Sequence, residues 1–469
     1  MLAKLRTELQ TSRLWILGMV ALVLGAAALL GLRPSALWLI VPLLGIGVFV
    51  LLQWPSAGLF ALVPAALLLR VEIGTGSEVA LNLATLLVPA LLGIWLLDMM
   101  RRRELRLVPS ATNRPLLLFL AASLLSLVIG IATWDPVVPR SDSLTIVQLA
   151  QWAIFAFSAV AFWLTGNLVR SEASLRRLAF LFLGLGGGIA IVVLPPVYPL
   201  VRPILSGAFM RAPFWMLLAA MAGGQLLFNR QLGRAWKMFL LAVLGAIALF
   251  AFFGMRETIS FSVGVVAVAG ILGWLRWPRL RWPVILMLAV LAVSGSLSSA
   301  VYEFAGGGGE WEESGGSRLA LIGRVIEVTM RNPITGLGPA AYRPYAGMQP
   351  LLYGRAFWVN PLISSHNNYV DLFAHVGLLG MALFFWFAVE VARLGHRLRA
   401  HFTEGFVAGY VNGMLATGAG ALVLMLFADW ILPFVYNIGF PGFQASVLVW
   451  LFLGGLVALE QIMTRESAG

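Results

Sequence analysis

Residues 301–370 read VYEFAGGGGEWEESGGSRLALIGRVIEVTMRNPITGLGPAAYRPYAGMQPLLYGRAFWVNPLISSHNNYV. The stretch carries Gly306–Gly309, four acids ahead of Arg318, five arginines and His366. It is the one long polar segment in a chain that otherwise alternates apolar runs with short connectors. Backbone of this kind cannot lie exposed to hydrocarbon. A connection this long in a compact protein is usually functional or disordered.

Outward from it, the chain is membrane-like. Of 469 residues, 60% are hydrophobic and only 11% charged, whereas soluble domains sit near ~25% charged. The apolar runs are long enough to cross a ~30 Å hydrocarbon layer at ~1.5 Å per residue. The spans fall at 14–32, 35–52, 57–70, 83–99, 115–133, 146–166, 178–195, 212–228, 238–255, 258–274, 283–300, 367–391, 406–428 and 444–460. The early pair 35–52 and 57–70 is short, and one of them could be re-entrant. The expectation is an all-α polytopic integral membrane protein with 12–14 transmembrane helices: a bundle over 1–300, one large extracytoplasmic loop over 301–366, and C-terminal helices over 367–469. Period-2 alternation of a transmembrane barrel is absent.

The chain has no cysteine, which excludes disulfides, thiolate metal sites and cysteine nucleophiles. The basic N-terminus followed by an apolar run without a small-residue cleavage site predicts an uncleaved first helix. The net charge of +12 is not a nucleic-acid signal here, because it is distributed by topology. With the N-terminus inside, the inner segments hold 21 of the 32 basic residues. Lys4, Arg101–Arg103, Arg176, Arg230, Arg279, Arg397 and Arg465 are among them. By the positive-inside rule both termini are cytoplasmic and 301–366 faces outward.

Several outward pieces stand out. Segment 134–145 is a short polar loop. Segment 196–213 (PVYPLVRPILSGAFMRAP) has four prolines, with Arg202 and Arg211, and predicts broken or re-entrant structure. Segment 254–260 is a tight turn carrying Arg256 and Glu257. Segment 429–443 is aromatic, as an interface belt is. Inside the long loop, 318–331 has helical periodicity, with Leu319, Ile322, Val325, Ile326 and Thr329 on one face. Ser317 suits its N-cap, and Asn332-Pro333 ends it. The expectation is an amphipathic helix on the outer surface, then irregular chain, then His366 at the mouth of a span.

An arginine opening an amphipathic helix, Asn332-Pro333, Gly336-Leu337-Gly338-Pro339, Ser365-His366-Asn367-Asn368 and Gly377-Leu378-Leu379-Gly380 together resemble the O-antigen ligase/polymerase superfamily of bacterial membrane glycosyltransferases. By motif the resemblance covers 240–390. It implies transfer of a glycan from a polyprenyl (undecaprenyl) diphosphate carrier to an acceptor hydroxyl on glycan, lipid or protein. The reaction would take place at the outer face of the bacterial cytoplasmic membrane. It also implies three catalytic residues, Arg256, Arg318 and His366. The chain departs from the family's Ser-Arg-Gly-like segment, since Met255-Arg256-Glu257 stands there.

The chemistry reads the same way. A diphosphate leaving group is concentrated negative charge, and arginine binds such oxygens bidentately. Arg256, Arg318 and Arg211 are placed to do so. His366 can take or orient a hydroxyl proton near neutral pH. Asn367, Tyr342 and Asp371 complete the expected substrate-binding set. No Asp-x-Asp occurs, so the expected reaction is metal-independent, with no cofactor, and the other partners are membrane lipids. Blander readings stand beside these. Arg318 could be merely solvated, Arg256 could snorkel or pair with Glu257, and Arg211 could only anchor the interface. Asp371 and His375 could form a buried pair, although an acid within an apolar span is itself a functional suspect. Tyr342 could stack on sugar or pack the loop down. A secondary transporter or lipid-linked sugar flippase is the competing class, but it would place its polar groups along a path through the membrane rather than on one face.

Overall fold

The structure is a computed structural model that describes residues 40–70, 72–74, 80–104, 107–201, 205–254, 259–283, 285–286, 290, 294, 316–349, 351–353, 356–358 and 364–466. The expected span 14–32, most of 283–300, Gly306–Gly309 and Arg256 lie outside these residues. The chain divides into two units, 1–58 and 59–469. The described part of the first contains helix α1 (Ile40–Gln53).

Among the described residues, the second unit is helical apart from two short hairpins. The main elements that follow α1 along the chain are α2 (Ala57–Leu67), which begins at the boundary, β1 (Glu72–Gly74), β2 (Ala80–Asn82), α3 (Leu83–Arg102), α4 (Asn113–Ala132), α5 (Leu144–Leu168), α6 (Glu172–Val192), α7 (Ala212–Phe228), α8 (Arg234–Leu249), α9 (Ile259–Arg276), α10 (Gly316–Thr329), α11 (Tyr342–Ala346), β3 (Leu351–Tyr353), β4 (Ala356–Trp358), α12 (Asn368–His401), α13 (Gly405–Leu424) and α14 (Gly439–Glu466). Among the described residues, eight helices are long and apolar enough to cross a membrane: α3, α4, α5, α6, α8 with its π-helical extension to Gly254, α12, α13 and α14. Helices α7 and α9 are apolar but shorter. The protein is an all-α polytopic membrane protein. The hairpins β1–β2 and β3–β4 are antiparallel and were not expected, because three-residue strands carry no readable alternation.

Helices α5 and α14 pack together, as do α7, α9 and α13, while α12 lies against α4 and carries α10. The most apolar stretch of α14 is enclosed along its whole length, whereas only a third of the α8 stretch is. Without a hydrophobic drive between helices in lipid, close approach depends on small residues. Gly454 of α14 is one: a Cβ there would stand 2.1 Å from the Phe162 carbonyl oxygen of α5.

Alternation of the helices gathers connectors at two ends. At the loop end, Ser206 Oγ donates to the Leu67 carbonyl at 2.9 Å. There too Gln151 binds Pro433 O and Val435 N–H, and Arg331 pairs with Asp135. At the basic end, Arg230 faces Glu404 at 3.6 Å, Arg397 pairs with Glu460 at 3.0 Å, and Gln461 donates to Pro109 O at 2.7 Å.

Helix α12 runs ten residues beyond the expected 367–391 and is broken at Gly377, whose φ of 63° and ψ of −170° leave the helical region. The loop turn after α10 fills the break. Leu337 N–H donates to Ala374 O at 2.8 Å, Leu378 N–H to Pro333 O at 2.9 Å and Leu379 N–H to Ile334 O at 3.0 Å. Ser126 Oγ on α4 takes up His375 O at 2.6 Å. The turn thus restores the hydrogen bonds the break removes, as apolar surroundings require. A Cβ at Gly377 would stand 2.2 Å from Ile334 O. Helix α10 begins at Gly316. It buries Val325 and Thr329, but Ile326 is 40% exposed, so the predicted apolar face is narrower than its periodicity suggested.

Candidate functional site

The segment Ser365-His366-Asn367-Asn368 divides its labour. Asn367 caps α12, its Oδ1 accepting from Tyr369 N–H at 3.0 Å and Val370 N–H at 3.2 Å, while its Nδ2 donates to Leu426 O at 3.0 Å. Asn368 is buried and staples the strand of loop after α13. Its Oδ1 accepts from the Ile431 and Leu432 amides, and its Nδ2 donates to Leu432 O. Ser365 Oγ donates to Asp371 Oδ1 at 2.7 Å and accepts Asn367 N–H. His366, between these fixed residues, has φ +48°, uncommon for a non-glycine residue. Such outliers cluster at functional sites. Its side chain is half-buried.

His366 Nδ1 lies 3.3 Å from Asn437 Nδ2. The same Nδ2 donates to Asp429 Oδ1 at 2.6 Å. An amide NH2 has two hydrogens. One goes to the carboxylate and the other to the imidazole, which makes Nδ1 the acceptor and puts the neutral ring's hydrogen on Nε2. Asp429 is fully buried and its Oδ2 accepts Phe434 N–H at 2.7 Å. Burial pushes its carboxyl up to about 6, against the hydrogen bonds from Phe434 and Asn437 that favour the charged form.

Arg211 is the residue before α7 and is partly buried. Burial lowers its guanidinium from the ordinary value, while the carboxylates of Asp429 and Glu72 act in the opposite direction. Arginine stays charged regardless. Its buried Nε has no hydrogen-bond partner among the described residues. Arg343 covers the Tyr436 ring at 4.6 Å, one residue from Asn437.

Arg318 is the third residue of α10. Its side chain, like the whole of Arg256, lies outside the described residues. Tyr342 is fully enclosed. It donates to Asp371 Oδ1 at 2.9 Å and stacks between His375, 5.5 Å away, and Phe434, 4.8 Å away. It packs the loop onto the bundle, and its ring faces are occupied by protein. Asp371 is bound by Tyr342 and Ser365 rather than by His375, whose Nδ1 accepts Ala340 N–H at 3.2 Å. The buried Asp371–His375 pair is therefore not formed. Asp429 and Asn437 escaped the sequence reading, which took 429–443 for an aromatic belt. The usable signal was one acid and one amide inside an apolar stretch, groups that are costly near a membrane unless they have a task.

Fold and site define a polytopic membrane protein with a histidine–amide–carboxylate line and a partly buried arginine at one end of its bundle. Residues 240–385 match the family described as O-antigen ligase. That stretch, with Arg256, Arg318 and His366 inside it, is O-antigen ligase-like, which supports a glycan-transferring membrane protein of ligase or polymerase type. No curated protein matches the chain.

Proposed function

We propose that the protein transfers a glycan from a polyprenyl diphosphate carrier to an acceptor hydroxyl at the outer face of the cytoplasmic membrane, without a metal. The anomeric carbon–oxygen bond to the diphosphate breaks with its electron pair left on the diphosphate. A bond to the acceptor oxygen forms, and the hydroxyl proton passes to an oxygen of the departing diphosphate. Arg211, Arg318 and Arg256 supply the charge that stabilises the leaving group. Asn367, Tyr342 and Asp371 fix the segment that presents His366 rather than touching sugar themselves.

The observation that carries this reading is the hydrogen-bonded line His366–Asn437–Asp429 at the end where the long loop docks, with Arg211 near enough to feel the charge of Asp429. That end adjoins a region that is O-antigen ligase-like. The hydrogen bonds also favour a role for His366. With Nδ1 accepting, Nε2–H is a donor, suited to a diphosphate oxygen. For Nε2 to take the hydroxyl proton instead, the Asn437 amide must turn so that its Oδ1 faces both neighbours, with Asp429 protonated.

The test is purified protein in nanodiscs given a polyprenyl-diphosphate oligosaccharide, candidate acceptors and EDTA. Wild type is expected to release polyprenyl diphosphate and extend an acceptor despite the chelator. His366→Ala and Arg211→Gln should each slow this by roughly 100-fold or more at unchanged thermal midpoint. Donor left intact in every condition, with lipid-linked sugar moved across proteoliposomes, would replace the enzyme with a flippase.

A further inference from the structure

We propose that the basic end holds a binding site for an anionic phospholipid. One acyl chain would lie in the cavity between α9, α12, α13 and α14, with the phosphate on Arg281 and Arg399. The cavity is about 280 Å³ and its lining is overwhelmingly apolar. Along α12 it runs from Phe384 to His396, about 18 Å at 1.5 Å per residue. That is the shape of a slot for a chain rather than a pocket for a compact solute.

Its rim at the basic end is cationic. Arg281 Nε donates to Trp274 O at 3.1 Å and Arg399 Nη2 to Leu275 O at 2.9 Å. Trp274 and Leu275 both line the cavity. The two guanidiniums therefore sit on consecutive carbonyls at the cavity mouth. Arg230, Arg393 and Arg397 at the same end each face a glutamate. Among the described residues no carboxylate stands within ion-pair distance of Arg281 or Arg399. Two uncompensated cations above an apolar slot complement a phosphate that carries an acyl chain, and arginine suits it through paired N–H groups. Exposed Trp277 and Trp282 flank the rim, at the level where such rings meet headgroups.

The site is independent of glycan transfer, so its test reads lipid rather than turnover. Detergent-purified protein is supplied with phosphatidylglycerol or phosphatidylcholine, and the lipid retained is measured by native mass spectrometry beside the thermal midpoint. Wild type should keep phosphatidylglycerol in preference to phosphatidylcholine. Arg281→Gln with Arg399→Gln should weaken phosphatidylglycerol by about tenfold and erase the preference. If that double variant is poorly folded, Arg281→Gln alone carries the charge test. Gly418 lines the cavity and has no atom within 4 Å of where a Cβ would stand. Gly418→Leu should therefore fold normally, fill the slot and lose phosphatidylglycerol. Equal retention of the two lipids by wild type overturns the proposal, as does an undiminished preference in the arginine variants or retained phosphatidylglycerol in Gly418→Leu. Displacement of phosphatidylglycerol by substoichiometric polyprenyl phosphate would give the cavity to an isoprenoid chain instead.

Discussion

His366 takes its orientation from its neighbours. Ser365, Asn367 and Asn368 spend their side chains on Asp371, the α12 amides and the 431–432 loop, and what remains is an imidazole on a left-handed residue aimed at Asn437. Glutamine can donate a hydrogen bond as neutral histidine does but cannot act as a base. If His366 acts through Nε2–H, His366→Gln should retain at least about a tenth of wild-type transfer while His366→Ala falls roughly 100- to 10,000-fold. Equal loss in both variants, read as polyprenyl diphosphate released in single turnover, would make His366 the base. Asp429 adds a prediction about stability. Its carboxyl titrates near 6 in the folded protein because it is buried, and near 4 when unfolded. The folded state thus holds this proton more tightly. The resulting stabilisation is complete below about pH 4 and is lost as pH rises through about 6. Asp429→Asn removes that titration. The extra stability of wild type at pH 5 over pH 7, from denaturation in detergent, should shrink in the variant by about 1.3 kcal/mol.

At the scale of elements, the broken α12 and the turn 333–337 are one construction. A helix interrupted beside apolar neighbours leaves carbonyls and amides that must find partners, and the turn supplies them at Ala374, Leu378 and Leu379. Gly336, with φ +75°, and Gly377, with φ +63°, abut one another, and a Cβ on Gly336 would stand 2.6 Å from Gly377 N. The Asn-Pro, Gly-x-Gly-Pro and Gly-Leu-Leu-Gly motifs were visible in the sequence. Their contact was not, because a short pattern does not say which distant backbone it will meet. Gly377→Ala should cost at least about 2 kcal/mol, since strain and a backbone clash act together. Gly188→Ala in α6, where no atom lies within 4 Å of a Cβ, should instead be neutral or stabilise by up to about 1 kcal/mol. Thermal midpoints of the two variants in one detergent check the contrast, and similar midpoints would mean that α12 can relax away from the turn.

At the scale of the whole molecule, hydropathy carried most of the fold, because a lipid-embedded helix must be apolar for its whole length. The polar ends required tertiary structure: Asp429 and Asn437 approach His366 across 63 and 71 residues of sequence, a distance no periodicity bridges. One property of the whole chain connects charge to function. Arginines concentrate at the end opposite His366, and if they face the cytoplasm, the site opens to the outside, where a flipped lipid-linked donor would be found. The absence of native cysteine makes this directly measurable. Ser141→Cys, exposed at the loop end, should react with a membrane-impermeant maleimide on intact cells or spheroplasts. Gln231→Cys, exposed at the basic end, should react only after permeabilisation. The reverse pattern would put His366 and Arg211 on the cytoplasmic side, where the donor is assembled rather than consumed, and the proposed transfer would lose its substrate.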